Sequence, residues 1–145
     1  MQITRYTDYT LRLLMYLATY QDERVTIADV AARHEISRNH LMKVAQWLGN
    51  QGYITGVRGK YGGLYLARPA DQINIGELVR LSEQHSGLVD CFTEGPGCLL
   101  APACYLKQIF AEALENFFRT LDNYTLSDLI TPVNRPSLVR LLEAT

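Results

Sequence analysis

The sequence lacks a long apolar run, and its N-terminus does not resemble a secretion signal. The longest stretch without a charged residue, residues 44–57, contains polar side chains and glycines, whereas a membrane span needs about 18 apolar residues. Arg5, Asp8 and Arg12 lie where a signal peptide would carry its apolar core. We therefore expect a cytoplasmic protein that does not associate with a membrane.

A strong net charge is also missing, since 14 Lys and Arg residues nearly balance 15 Asp and Glu residues. The charge is nevertheless divided unevenly along the chain. Residues 1–68 carry nine basic and five acidic side chains, and residues 69–145 carry five basic and ten acidic ones. A basic half followed by an acidic half favours a nucleic-acid-binding face beside a second module. With 48% hydrophobic residues, the 145-residue chain is folded rather than disordered.

Hydrophobic periodicity predicts a mainly α-helical protein with one small β-hairpin. Helices are expected over residues 7–20, 27–35 and 38–50, and only a tight turn separates the second from the third, as in a helix-turn-helix. Residues 53–58 and 64–66 flank a glycine-rich turn and predict a hairpin, after which Asn74 begins a helix that ends at residue 84. This order of elements is a winged helix-turn-helix, to which we assign residues 1–84.

The cations of this region fall at the two places where a winged helix touches DNA. The second helix of the helix-turn-helix enters the major groove with its N-terminal residues, where arginine suits guanine and asparagine suits adenine. The wing tip suits a phosphate chain or the minor groove. An ordinary solvated surface would explain either cluster alone, but not both together. The predicted DNA contacts are Arg38, Asn39, His40 and Lys43 of the helix and Arg58, Lys60 and Tyr61 of the wing.

All three cysteines, Cys91, Cys98 and Cys104, fall within 14 residues of a segment rich in glycine and proline. Structural disulfides are rare in cytoplasmic proteins, and an odd number of cysteines cannot all pair. Three thiolates that a loop can bring together favour a soft metal or an iron–sulfur site. The spacing matches neither zinc ribbons nor ferredoxins, so zinc and iron–sulfur chemistry both stay open. We assign residues 85–104 to a cluster-binding loop that lacks a fourth ligand of its own.

A long apolar helix is expected from Cys104 onward, with about twenty residues and a length of roughly 30 Å. An apolar helix of this length in so small a protein indicates a partner rather than its own core. We assign residues 104–130 to a dimerisation helix and the turn that follows, and residues 131–145 to a tail. The predicted dimer contacts are Leu106, Phe110, Ala113, Phe117 and Leu121.

Five motifs resemble those of the winged-helix iron–sulfur regulators, in the branch that senses nitric oxide. They are Thr7-Asp8-Tyr9, residues 37–44, residues 57–63, Pro102-Ala103-Cys104 and residues 121–126, and the resemblance extends over about residues 1–130. It implies a homodimeric repressor, not an enzyme, that binds a palindromic operator in double-stranded DNA. Nitrosylation by nitric oxide would lower the DNA affinity and derepress genes for nitric oxide detoxification.

The resemblance also implies one iron–sulfur cluster in each subunit, a [4Fe-4S] rather than a [2Fe-2S] cluster. Cys91, Cys98 and Cys104 would hold it, and Asp8 of the opposite subunit would complete it. Without a cluster, Asp8 would be only a first-turn carboxylate that the helix dipole favours. IscR-type regulators of the same family carry a histidine three residues after the last cysteine, where this chain has Lys107.

Other functions stay open. One is an IscR-type repressor that responds to iron–sulfur supply or oxidative stress, and another is a zinc-stabilised regulator. An iron–sulfur enzyme or electron carrier is disfavoured, because it needs no base-reading helix and the sequence shows no substrate motif or second redox centre.

Overall fold

The structure is a computed structural model that describes residues 2–84, 88, 92 and 98–144. These residues form seven α-helices and one antiparallel hairpin, which confirms the predicted fold class. None of the helices in this part of the chain is long and apolar enough to cross a membrane. The elements are α1 (Arg5–Thr19), α2 (Ile27–His34), α3 (Arg38–Asn50), β1 (Ile54–Val57), β2 (Gly63–Leu66), α4 (Ile75–Ser82), α5 (Tyr105–Asp122), α6 (Leu126–Leu129) and α7 (Arg135–Glu143).

Helices α2 and α3 form the predicted helix-turn-helix. A capping box begins α2: the Thr26 hydroxyl accepts a hydrogen bond from the Asp29 amide at 3.2 Å, and the Asp29 carboxylate accepts one from the Thr26 amide at 2.8 Å. Glu35 ends α2 in the left-handed conformation, with φ 53°. Ser37 occupies the predicted N-cap position of α3, but its side chain makes no capping hydrogen bond. The turn between the helices is therefore as short as the sequence indicates.

The wing is the hairpin of β1 and β2, in which Ile54 pairs with Leu66 and Val57 with Gly63. Gly59 in the connecting turn has φ +105°, a conformation that favours glycine. Gly62 is buried, and a Cβ there would collide with the Val57 carbonyl oxygen. A bridge between Val25 and Leu64 extends the hairpin toward the helix-turn-helix. These constraints hold the base of the wing against the domain.

Helix α1 lies at the centre of the molecule and packs against α2, α3, α4, α6, α7 and β2. Its Leu13, Leu14 and Leu17 are at most 2% exposed. Leucines at equivalent depth come from the surrounding helices: Leu41 and Leu48 of α3, Leu78 of α4 and Leu126 of α6. A displacement of α1 would therefore disturb the packing of each of these elements.

The C-terminal half of α5 is fixed to α4. The guanidinium of Arg80 donates to both carboxylate oxygens of Asp122, at 2.5 and 2.9 Å, and it lies 4.8 Å from the Phe118 ring centroid. This pairing lowers the pKa of Asp122. Asn74 donates a side-chain hydrogen bond to the Asp122 carbonyl at 2.8 Å. The two helices approach so closely at Gly76 that no side chain fits there, because a Cβ would lie 2.7 Å from the Asp122 nitrogen.

The residues assigned to a tail instead include a helix, α7, which begins at Arg135, directly before the second proline of this segment. Pro136 occupies the first turn of α7, where the missing N–H would have had no helical partner. Arg135 donates a hydrogen bond to the Thr19 carbonyl at 2.9 Å, and Val139 and Leu142 pack against the core. Residues 135–143 are therefore an integral part of the domain.

Candidate DNA-binding surface and metal-ligating residues

Helix α3, the reading helix, separates the residues predicted to read bases from those that form the core. The predicted contacts Arg38, Asn39, His40 and Lys43 are all exposed. Among the described residues, the side chains of Arg38, Asn39 and Lys43 have no hydrogen-bond or ion-pair partner, so their donors are available to a ligand. The opposite face packs through Leu41, Val44 and Leu48, which are at most 1% exposed. Met42 of the same helix is 58% exposed.

The wing tip presents its polar groups outward. Arg58, Lys60 and Tyr61 are exposed, and the Lys60 ammonium lies 5.7 Å from the Tyr61 ring centroid. Arg24 donates a hydrogen bond to the Gly62 carbonyl at 2.5 Å and so fixes one side of the turn. The sequence does not indicate this role of Arg24 in holding the wing, because the bond joins residues far apart in the chain. The surface can offer cations to the DNA backbone from a rigid base.

Two aromatic contacts join α1 to the reading helix. Tyr9 stacks on His40 with ring centroids 6.3 Å apart, and Tyr6 meets Trp47 edge-on at 5.7 Å. His40 belongs to the predicted base-reading residues, whereas Trp47 packs against the core as expected. A movement of the first two turns of α1 would therefore reach residues that are predicted to contact DNA.

Asp8 lies in the first turn of α1, directly before Tyr9. Its carboxylate pairs with the Arg12 guanidinium at 3.0 Å and is 37% exposed. The capping role belongs to Thr4, whose hydroxyl accepts a hydrogen bond from the Thr7 amide at 3.2 Å. The helix dipole still favours a carboxylate at this end of α1. Asp8 is thus an accessible carboxylate that does not cap its helix.

His34 lies behind the Asp8–Arg12 pair. Its ring packs edge-on against Tyr16 at 5.9 Å, and its Nε2 atom is buried with no hydrogen-bond partner among the described residues. Burial lowers the pKa of His34, the positive charge of Arg12 lowers it further, and Asp8 opposes both effects. His34 is therefore favoured in its neutral form.

Cys98 and Cys104 are free thiols at the two ends of a short turn, whereas Cys91 lies outside the described residues. The Ala101 amide donates to the Cys98 carbonyl at 3.0 Å, and the Cys104 amide to the Ala101 carbonyl at 3.5 Å. Cys98 is exposed and Cys104 is half-buried at the N-cap position of α5. The described residues of one subunit gather no group of three His, Cys, Asp or Glu side chains around a common point.

Helix α5 has no buried residue in the described part of the chain, despite its apolar stripe. Its inner side chains Phe117 and Leu121 pack against the domain's own core. The N-terminal half is more open: Leu106 is 54% exposed, Ala113 is exposed and Phe110 is half-buried. Of the five predicted dimer contacts, Phe117 and Leu121 therefore also have a role within the subunit. Lys107 is half-buried at the position of the IscR-type histidine.

An exposed basic reading helix beside a basic wing defines a winged-helix DNA-binding transcriptional regulator. Residues 3–132 match the Rrf2 family, described as iron-dependent transcriptional regulators. The chain belongs to the Rrf2 family and is a DNA-binding regulator rather than an enzyme. This confirms the family expected from the sequence motifs.

Two relatives are similar over almost the entire chain. The HTH-type transcriptional regulator NsrR of Bacillus licheniformis is 44% identical over 144 residues, which span 98% of this chain and 99% of that protein. NsrR of Geobacillus kaustophilus is 46% identical over 145 residues, which span 99% of this chain and 97% of that protein. Among solved structures, the oxidised form of Staphylococcus aureus CymR has a TM-score of 0.67 and 29% identity, covering 87% of this chain and 93% of that one.

Proposed function

We propose that this protein is a homodimeric repressor that binds a palindromic operator and releases it when nitric oxide attacks an iron–sulfur cluster. The observation that carries the proposal is the position of α1. This helix bears Asp8, the candidate oxygen ligand, and the next residue, Tyr9, stacks on His40 of the reading helix. One rigid element thus connects the candidate cluster ligand to the DNA-reading residues.

The DNA-binding part of the proposal rests on the exposed cations. Arg38 and Asn39 supply the donors that suit guanine and adenine edges, and Lys60 supplies a charge for the phosphate backbone. A two-fold dimer presents two reading helices, which is why we propose a palindromic operator with half-sites about one helical turn apart. The proposal of a palindromic operator therefore depends on the proposal of a homodimer.

Exposed apolar side chains support the dimer. Leu106 and Ile109 of α5 are 54% and 47% exposed, and Tyr105 beside them is 72% exposed. Exposure of such an apolar stripe to water is unfavourable in a monomer. Contact with the same stripe of a second copy would remove it from water. We propose that the two α5 helices meet through this N-terminal half.

The donor set suits an iron–sulfur cluster. Thiolates are the ligands that such clusters require, and Cys98 and Cys104 are unpaired thiols joined by a short turn. We propose that they act with Cys91 and with Asp8 of the partner subunit, one cluster in each subunit, as a [4Fe-4S] rather than a [2Fe-2S] cluster. The 37% exposure of Asp8 leaves its carboxylate accessible to another chain.

When bound, the cluster would supply thiolate-ligated iron that reacts with nitric oxide. Cys98, Cys104 and Asp8 would hold the cluster, and without it the Asp8 carboxylate would be left with its ion pair to Arg12. A change at Asp8 would then reach the His40 side of the reading helix through Tyr9, which stacks on His40. Because the two reading helices must match the half-site spacing, DNA affinity falls and the nitric oxide detoxification genes are derepressed.

Anaerobic reconstitution with iron and sulfide tests the cluster. We expect iron and sulfide to bind together with visible absorbance in the wild type, and substitution of any one cysteine, as in Cys98→Ala or Cys104→Ala, to abolish assembly. Leu99→Ala is the matched control, because Leu99 lies in the same turn, is 94% exposed and has no ligating atom. Bound zinc in place of iron and sulfide would favour a zinc-stabilised regulator and contradict the proposal.

Mixed dimers test ligation by Asp8 of the partner subunit. One subunit carries Asp8→Ala and the other Cys98→Ala, so only the first can hold a cluster. Ligation across the dimer predicts a single cluster with wild-type absorbance, because the second subunit still supplies Asp8. A perturbed cluster in this heterodimer would mean that Asp8 acts within its own chain.

The IscR-type alternative is distinguished by the signal. Oxygen that releases DNA at least as fast as stoichiometric nitric oxide would favour a regulator of iron–sulfur supply or oxidative stress. Lys107 offers no imidazole at the position where that type carries its ligand, so we expect nitric oxide to act faster.

A further inference from the structure

Helix α1 has an incomplete cap of its own. The capping boxes of α2 and α6 each take a carboxylate from the third residue of the helix, Asp29 and Asp128 respectively. In α1 that third residue is Thr7, which has no carboxylate. The amide of the N-cap residue Thr4 therefore needs an acceptor from outside the helix.

Glu83, 79 residues later in the sequence, supplies that acceptor. Its Oε1 atom accepts hydrogen bonds from the Thr4 amide at 2.8 Å, the Thr4 hydroxyl at 2.8 Å and the Thr7 hydroxyl at 2.5 Å. Thr7 is fully buried, and its hydroxyl also lies 2.8 Å from the Ser82 hydroxyl. Three donors on one carboxylate oxygen form a charge-assisted joint that a neutral cap would not match.

The joint connects two segments that the proposed function uses. Glu83 is the C-cap residue of α4, and the cysteine-bearing segment follows it in sequence. On the other side, Thr7 is the residue before Asp8. The same carboxylate thus joins the C-terminal end of α4 to the first turn that carries the candidate ligand.

We propose that Glu83 is a positioning residue that holds Asp8 in place through Thr4 and Thr7. This inference rests on the proposed function, because it takes Asp8 as a cluster ligand. It adds a link from the C-terminal end of α4 to the Asp8 that each subunit offers to its partner.

The first arm of the test needs no cluster. Amide hydrogen exchange of the metal-free, full-length protein is followed at Thr4, Thr7 and Asp8. Glu83→Ala should accelerate exchange there by about tenfold, because a charge-assisted hydrogen-bond network is lost. Glu83→Gln, which keeps an acceptor oxygen without the charge, should give an intermediate rate. Asp29→Ala is the matched control, since it removes an equivalent capping carboxylate from α2 and should leave these amides unchanged.

The second arm reads the ligand. After anaerobic reconstitution with iron and sulfide, Glu83→Ala should change the cluster absorbance in the same direction as Asp8→Ala, and Asp29→Ala should not. Glu83→Gln should restore part of the wild-type absorbance. A purely local cap would lower stability without moving this spectroscopic signal.

The two arms separate failure of the inference from failure of the proposed function. Unchanged exchange in Glu83→Ala would overturn the inference whatever the cluster does. Accelerated exchange with a wild-type absorbance, in a protein whose Asp8→Ala variant is altered, would also overturn it. A wild type that assembles no cluster would contradict the proposed function, and the exchange arm would still decide whether Glu83 holds the first turn of α1.

Discussion

Gly76→Ala probes how tightly α5 is fixed to α4 of the DNA-binding domain. A Cβ at Gly76 would collide with the Asp122 carboxylate and lie 2.7 Å from the Asp122 nitrogen and 2.8 Å from its Cγ. The side chain could rotate away only by breaking its ion pair with Arg80, and the backbone nitrogen cannot rotate away at all. Overpacking of this kind costs about 1–3 kcal/mol. The gain in helix propensity, up to about 1 kcal/mol, offsets only part of that cost.

We therefore expect Gly76→Ala to lower the free energy of unfolding by about 1 kcal/mol, which is a mid-range overpacking cost of about 2 kcal/mol less the full propensity gain of about 1 kcal/mol. Urea denaturation measures it, at one protein concentration for all variants, because self-association would make the stability depend on concentration. Gly49→Ala in α3 is the matched control. Its added Cβ would meet nothing closer than the Ile54 carbonyl at 3.9 Å, so propensity alone should make that variant up to about 1 kcal/mol more stable. A Gly76→Ala protein as stable as the wild type would refute the reasoning.

Further outcomes follow from the surface and from the buried histidine. Arg38→Ala should weaken operator binding by about 1–3 kcal/mol and relax base preference at one position, as measured by fluorescence anisotropy on single-base operator variants. Lys60→Ala should weaken binding evenly across sequences and reduce the salt slope by about one unit, and an unchanged slope would remove Lys60 from the phosphate contacts. Leu106→Glu should produce monomers in sedimentation analysis, because it places an unpaired charge in the proposed α5 contact, whereas a persistent dimer would place the contact elsewhere. Burial lowers the pKa of His34 in the folded state, so the unfolded chain binds a proton on this side chain at a higher pH than the folded protein does. The stability that neutral His34 contributes is therefore complete above about pH 6.5 and is lost as the pH falls below that value. His34→Gln should flatten that pH dependence in urea titrations, and an unchanged profile would assign it to another group.

The helix-turn-helix was predictable because its signals are local. Thr26 and Asp29 lie three residues apart and form the capping box that their spacing predicts. Gly52 after α3 has φ +76°, the conformation that makes glycine a helix terminator. Exposure of Arg38 and Lys43 follows from helical periodicity once the packed face is known.

Helix α7 was not predicted, because residues 131–145 contain two prolines, Pro132 and Pro136, and show no clear helical signal. Pro136 is in fact compatible with the first turn of a helix. What stabilises α7 is tertiary: Arg135 binds the Thr19 carbonyl, and Val139 packs against the core. No local pattern contains that information.

The joint at Glu83 and the close approach at Gly76 have the same origin. Glu83 meets Thr4 across 79 positions of sequence, and Gly76 meets Asp122 across the α4–α5 contact. From the sequence, Gly76 is only an ordinary first-turn residue of α4. Such contacts become visible only when the helices are placed in space, whereas the cluster ligands proposed at the cysteines and Asp8 stay predictions from sequence motifs.

The central claim is that nitric oxide reaches DNA affinity through the cluster. Its most direct test is an anaerobic titration of the cluster-loaded dimer with a nitric oxide donor, followed simultaneously by cluster absorbance and by the anisotropy of a labelled duplex selected from a randomised pool. The account predicts that affinity falls at least about fivefold as the absorbance is lost, at a few molecules of nitric oxide for each cluster. Full loss of the cluster absorbance with unchanged DNA affinity would contradict it.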